Sequence, residues 1–331
     1  MGWLGTVLYT CPFVPAEWIA AHGLRPRRIM PQELHGAPLP GAGMGMCPYA
    51  RAFLHEVGAQ EDAAVVFTTV CDQMRRCSEL MAPEREAALF LMHVPATWRT
   101  PGARRYYRAE LERLGRFLER LGGTTPSAER LAAVMAEYDA TRAKLRAAAG
   151  RLSAQAASNA IARLHRNGPA DAEAALEGRA APCGRGIRLA LVGGPLLGTP
   201  STLLDLIESA GGTIVLDATE TGERTLPAPF DAATVEQNPL DALVDAYFNH
   251  IPYAFRRPND ALYAWLAREL AARDVRGIIF RRYLWCDTWH AEAGRMAEWS
   301  PVPFLALDVE DDQPLRDRMA SKIRAFVETL A

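Results

Sequence analysis

Apolar residues in the first hundred positions fall in short runs, separated by polar, turn-prone stretches and by segments with helical spacing. AVVFTT (64–69) and ALFLMHV (88–94) predict buried strands, with a weaker one over 27–30; helices are expected near 16–22, 48–57 and 72–81. From Gly102 to about Gly178 the period lengthens. RRYYRAELERLGRFLERLGG and SAERLAAVMAEYDATRAKLRAAAGRL repeat apolar residues at three- and four-residue steps, which predicts amphipathic helices packed between two lobes. After APCGRG (181–186) the alternation resumes, with strands over 188–194, 213–219, 277–285 and 303–309. Helices are expected over 201–210, around 239–248, over 260–272, from Asp287 onward and over about 315–330. Strands separated by helices imply a parallel sheet with crossovers. The expected class is therefore α/β: two Rossmann-like lobes, each a doubly wound parallel sheet, joined by a helical segment. The expected divisions are 1–100, 101–185 and 186–331.

Length and composition narrow the function classes. At 331 residues the chain is long enough for two domains, each with its own core. With 49% hydrophobic and 23% charged residues and a net charge of -2, it reads as an ordinary globular protein, and neither disorder nor a nucleic-acid partner is expected. No apolar run approaches the roughly 18 residues of a membrane span, and the N-terminus has no basic stretch ahead of an apolar block. Neither a membrane partner nor a cleaved signal is expected, and the expected location is the cytoplasm. There the 6 cysteines are reduced and available to a metal or to redox chemistry rather than tied in disulfides.

Two segments share a design. VVFTTVCDQMRR (65–76) and IIFRRYLWCDTWH (278–290) each run an apolar strand into Cys-Asp and then a helix, which places Cys71 and Cys286 beyond the carboxyl ends of strands, where open parallel sheets bind ligands. Asp72 and Asp287 suit helix N-caps, and the helix dipole favours thiolates on the preceding cysteines. Cys47, in GAGMGMCPYARAF, has the same placement, with Pro48 at a first helical position. Three separated cysteines at helix starts do not make a zinc ribbon, which shows close CxxC pairs. Iron–sulfur ligation is the better chemical match, and three thiolates on a 4Fe-4S cubane leave one iron to solvent, substrate or another ligand. Buried inert thiols are the competing explanation.

The chain resembles the 2-hydroxyacyl-CoA dehydratase / benzoyl-CoA reductase subunit family. The likeness is carried by CPFVPAEWIAAHGLRPRRI (11–29), GMCPYARAF, VVFTTVCDQMRRCSEL, LVGGPLLG with LIESAGGTIVLDATETGER (206–224), RGIIFRRYLWCD and PFLALDVEDD with RDRMASKIRAFVETL, in the family's order. The resemblance implies an iron–sulfur cluster in the interlobe cleft, held by Cys47, Cys71 and Cys286. It implies too an ATP-dependent activator that feeds a low-potential electron through the cluster to an acyl-CoA thioester. In the dehydratases that electron makes a ketyl radical that expels the 2-hydroxyl, and the electron is recovered; in the reductases the electrons stay in the product. A sister branch consists of homodimeric reductases with a double-cubane 8Fe-9S cluster. Partners implied are a second copy or a homologous subunit, and a cluster-carrying subunit without acyl-CoA is a further alternative. Outside the family, a two-lobe shell that binds a small ligand with no cluster is the remaining possibility. The chain departs from the family in starting almost directly on the opening segment, in lacking a cysteine in NHIPYAFRRPND, and in having Arg75 and Arg76 where lysines are common.

Other side chains carry weaker expectations. Cys11 is a secondary ligand candidate. Glu17 either orients the cluster loop or complements a helix N-terminus. Arg75 and Arg76 either hold CoA phosphates or the activator, or lie on a solvated helix face. His290 either donates to substrate or cluster or sits on the surface. Cys77 is expected as a buried thiol and Cys183 as incidental. The glycines of LVGGPLLG do not match GxGxxG, so a dinucleotide site is rejected. The acidic cluster at 310–312 is expected as a solvated turn rather than a metal site.

Overall fold

The computed structural model describes residues 5–31, 45–177, 183–198, 201–309 and 316–331. The first lobe runs β1 (Thr6–Tyr9), α1 (Ala16–Ala21), β2 (Arg25–Arg28), α2 (Pro48–Gly58), β3 (Ala64–Thr68), α3 (Asp72–Arg85) and β4 (Leu89–Met92). All pairings are parallel, and the order is β2-β1-β3-β4. β1 was not foreseen. It has only the four residues TVLY, too short to show a period, yet it pairs on both sides and its Val7 and Leu8 are buried.

Four helices follow: α4 (Pro101–Arg120), α5 (Ala128–Ala148), α6 (Ala154–Asn167) and α7 (Pro169–Glu177). The first three begin on hydroxyl caps, with the side chains of Thr100, Ser127 and Ser153 accepting from the N–H groups of Ala103, Arg130 and Ala156. Their apolar stripes join the core of the first lobe. Leu111, Leu114, Leu118, Val134 and Ile161 pack in one cluster with Val7, Ile19 and Val66 and with Leu243 and Phe248 of the later chain.

The second lobe comprises β5 (Ile187–Gly193), α8 (Ser201–Ser209), β6 (Gly212–Ala218), α9 (Ala232–Gln237), α10 (Pro239–Val244), α11 (Asp260–Ala272), β7 (Gly277–Tyr283), α12 (Asp287–Trp299), β8 (Phe304–Val309) and α13 (Arg316–Glu328). Its order, β6-β5-β7-β8, repeats that of the first sheet. β7 is buried along its whole length, as a central parallel strand should be. The expected helix around 239–248 is α10 continued by a π-helical turn, Asp245–Asn249. Both sheets are thus doubly wound, with the order of strand addition reversing between β1 and β3 and between β5 and β7 while every strand stays parallel. A second core spans both, since Val65, Phe67 and Phe53 cluster with Val192, Phe280 and Trp289. The acidic cluster at 310–312 lies outside the described residues.

Candidate functional site

The carboxyl ends of β1, β3, β5, β6 and β7 converge on one cavity between the lobes. Its walls include Thr10 and Cys11 after β1, Cys71 after β3, Pro195 after β5, Glu220 after β6, Cys286 after β7, and Cys47 ahead of α2. Both winding reversals therefore open onto the same space, where doubly wound sheets bind ligands. Cys47, Cys71 and Cys286 are each the N-cap of a helix: α2, α3 and α12. This corrects the expectation for Asp72 and Asp287, which are first helical residues while the cysteines take the cap position. The reason is local: a two-residue turn follows each strand, and the chain becomes helical only after the thiol. The Tyr49 and Ala50 N–H groups act on the Cys47 thiol, those of Gln73 and Met74 on Cys71, and that of Trp289 on Cys286.

These amides do not make thiolates by themselves. Burial pushes the Cys47 and Cys11 thiols up to about 11 and Cys71 up to about 12, outweighing the N–H groups. Cys286 is raised further by burial, then by Glu220, Cys71 and Cys47. The expected dipole-stabilised thiolate is thus overruled by desolvation, and a bound metal centre must displace the protons. The thiols are close enough to feel one another, Cys71 with Cys47 and Cys286 with both. Among the described residues, no three His, Cys, Asp or Glu side chains converge tightly enough for a single metal ion. Cys11, Cys47 and Cys286 are buried and Cys71 is half-buried on the wall of one cavity, soft sulfur donors of the type that iron–sulfur centres use.

Hydrogen bonds fix the walls. Gln73 Oε1 accepts from the Cys47 N–H at 2.9 Å, linking α3 to the start of α2. Tyr49 bonds Thr10 Oγ1 at 2.8 Å and donates to the Ile29 carbonyl at 3.3 Å. Arg28, buried at the lobe junction, donates to the carbonyls of Thr10 and Glu220, both at 2.8 Å, and to Thr225 Oγ1 at 3.1 Å. The turn after β5 explains the glycines of LVGG. Gly193 has φ +144°, and a Cβ there would stand 1.9 Å from the Arg281 carbonyl oxygen of β7; one on Gly194 would stand 3.8 Å from Cys286 Sγ.

The secondary candidates divide. Cys11 lines the cavity. Glu17 does not; it is fully buried and ion-paired with Arg142 of α5. Arg75 and Arg76 are exposed and paired on their own helix with Asp72 and Glu79. His290 is exposed, with Nδ1 against Arg282 at 2.5 Å. Cys77 is buried, its Sγ 3.8 Å from the Ala50 carbonyl, outside the cavity wall. Cys183 is half-buried. The sequence reading missed Glu220, Tyr253 and Thr10 as cavity residues. Glu220 and Thr10 lie directly beyond strands, a signal available once β1 and β6 are placed.

The family described as 2-hydroxyglutaryl-CoA dehydratase, D-component, matches residues 11–330. The chain belongs to this family. It is a 2-hydroxyacyl-CoA dehydratase-type subunit, a component of an enzyme. No curated protein matches the chain. Among solved structures, the Pseudomonas aeruginosa SBP FpvC with Ni2+ is 13% identical, covering 99% of this chain and 97% of that one at a TM-score of 0.25. The same protein with Mn2+ is 14% identical, covering 98% and 97% at a TM-score of 0.24. Those scores carry no argument about fold or ligand, and the architecture rests on the two sheets themselves. No helix among the described residues is long and apolar enough to cross a membrane.

Proposed function

We propose that this dehydratase-type subunit carries an iron–sulfur cluster on Cys47, Cys71 and Cys286 and uses it to pass low-potential electrons in an acyl-CoA reaction. The observation that carries this reading is the convergence of the three thiols, each from the start of a different helix, on the cavity between the lobes. Such a cluster, when bound, supplies one-electron transfer at low potential and Lewis-acidic iron.

The chain's own residues do the rest. The three helix N-termini aim partial positive charge at thiolates that burial alone would disfavour. Gln73 holds the Cys47 backbone, and the Thr10–Tyr49 bond ties the end of β1 to α2, so the cavity walls are set before anything binds. Val70, Met74 and Ala50 line the wall with apolar surface that limits water. The subunit works beside a second copy or a homologous subunit and receives electrons from an ATP-hydrolysing activator. Its substrate class is a 2-hydroxyacyl-CoA that loses water.

The test is iron and acid-labile sulfide per chain after strictly anaerobic purification, with EPR of the reduced sample, for wild type and Cys71→Ser. Iron and sulfide in equal amounts, with a low-temperature signal that Cys71→Ser abolishes, support the assignment. Absence of both after reconstitution overturns it and leaves a two-lobe protein that binds a small ligand.

A further inference from the structure

A second, narrower space of about 20 Å³ lies where β1 and β2 meet α5, α6 and the chain that follows β6. Arg28, Tyr138, Arg142, His165 and Thr225 stand on its wall, and no carboxylate does among the described residues. Two guanidinium groups therefore face one crevice, and each of these arginines is only 2% exposed. The bonds that Arg28 donates all go to uncharged acceptors: the carbonyls of Thr10 and Glu220, Thr225 Oγ1 at 3.1 Å and His165 Nε2 at 3.2 Å. Arg142 uses Nη2 on Glu17 and Tyr247, while its Nη1 is buried without a hydrogen-bond partner among the described residues.

The charges do not balance. Arg28 and Arg142 stand against the single carboxylate of Glu17. The Glu220 carboxylate is on the wall of the thiol cavity instead, where it accepts from Trp289 Nε1 at 2.6 Å and offsets the charge of the buried Arg224. His165 does not add to the surplus, because burial and the two arginines hold its pKa well below the usual value and keep the ring neutral. Since a guanidinium only donates, the Nε2 of that ring accepts and its proton sits on Nδ1, a further donor. A buried positive charge without a counter-charge is costly. A water molecule would accept from these donors but would leave the charge uncompensated. Twenty cubic ångströms hold one water-sized particle, which excludes phosphate, sulfate and carboxylates.

We propose that this crevice binds a single halide ion, such as chloride, with Arg142 Nη1 as its donor and Arg28 as the charge it neutralises. The ion is structural. Arg28 ties Thr10, at the end of β1, to Glu220, beyond β6, so an anion that stabilises its guanidinium fastens the two lobes where they form the thiol cavity. The site is independent of the iron–sulfur reading.

Urea unfolding of the full chain tests this at fixed pH and ionic strength, with chloride exchanged stepwise for gluconate, an anion too bulky for the crevice. The apparent unfolding constant is expected to fall about ten-fold for each ten-fold rise in chloride above its Kd. Bromide has the same effect, and Arg28→Gln, which removes the surplus charge, abolishes the dependence. Anomalous diffraction from wild-type crystals grown in bromide reads the site without any substitution, and a peak beside Arg142 is expected. Equal unfolding constants in chloride and gluconate, or a crevice without an anomalous peak, overturn the assignment. So does a chloride dependence that persists in folded Arg28→Gln, which would place the ion elsewhere.

Discussion

Replacing Glu17 separates a structural role from a role at the cluster. Glu17 and Arg142 form an ion pair with side-chain exposures of 0% and 3%, so water screens neither charge. The Tyr247 hydroxyl donates to Glu17 Oε2 at 2.7 Å, and the guanidinium lies 5.5 Å from the Phe230 ring centroid and 5.6 Å from that of Tyr138. The pair joins α1 to α5 and to the π-helical turn that carries Tyr247, three pieces far apart in sequence. Glu17→Gln keeps the shape but leaves a buried guanidinium without its counter-charge. Breaking a buried pair in this way costs about 3–5 kcal/mol, a large fraction of the roughly 5–15 kcal/mol that holds a typical domain folded. Arg142→Met added to Glu17→Gln removes the orphaned charge and restores at least about 1 kcal/mol of that loss. Guanidinium chloride unfolding at neutral pH, followed by far-ultraviolet circular dichroism, measures both. Iron content stays at the wild-type value, because Glu17 is outside the cavity. A loss under about 1 kcal/mol, or normal stability with lost iron, refutes the argument.

Asp217 makes a pH-dependent prediction. Burial raises its carboxyl to about 6 from 3.8, so the folded state binds the proton more tightly than the unfolded chain. The favourable contribution is complete below pH 3.8 and is lost as pH rises through about 6. Asp217→Asn, which still accepts from Thr219, flattens that part of the stability profile and is more stable than wild type at pH 7 by at most about 3 kcal/mol; parallel profiles would contradict this. Gly193→Ala forces a Cβ into the Arg281 carbonyl at a positive φ, and destabilises by about 3 kcal/mol or more in the same unfolding assay. A neutral effect would show that β5 and β7 are less closely apposed. Cys77→Ala retains wild-type iron and sulfide, because the thiol faces Ala50 outside the cavity wall. Loss of a defined part of the iron would make Cys77 a ligand.

Much of the architecture is legible in local pattern. VVFTT, LALVG, IIFRR and the amphipathic repeats of the helical segment announce themselves, and the cysteines at strand-to-helix turns point to the interlobe cavity they line before any pairing is known. What escapes is what depends on distance. TVLY is a central strand only because β2 and β3 flank it. The Glu17–Arg142 pair joins residues 125 apart, and Trp289 meets Glu220 across 69, so neither has a local signature. Burial is the other hidden quantity. The helix starts were visible, and they suggested stabilised thiolates, but the depth of the cavity decides the protonation state the other way.

The most direct test of the central claim is native mass spectrometry of the anaerobically prepared chain, taken for wild type and for each cysteine replaced in turn by serine. The account predicts the mass of an iron–sulfur cluster on wild type, lost in Cys47→Ser, Cys71→Ser and Cys286→Ser and kept in Cys77→Ser and Cys183→Ser. A cluster that survives loss of any one of the first three without a change in iron or sulfide, or a wild-type chain that never acquires one, would contradict it.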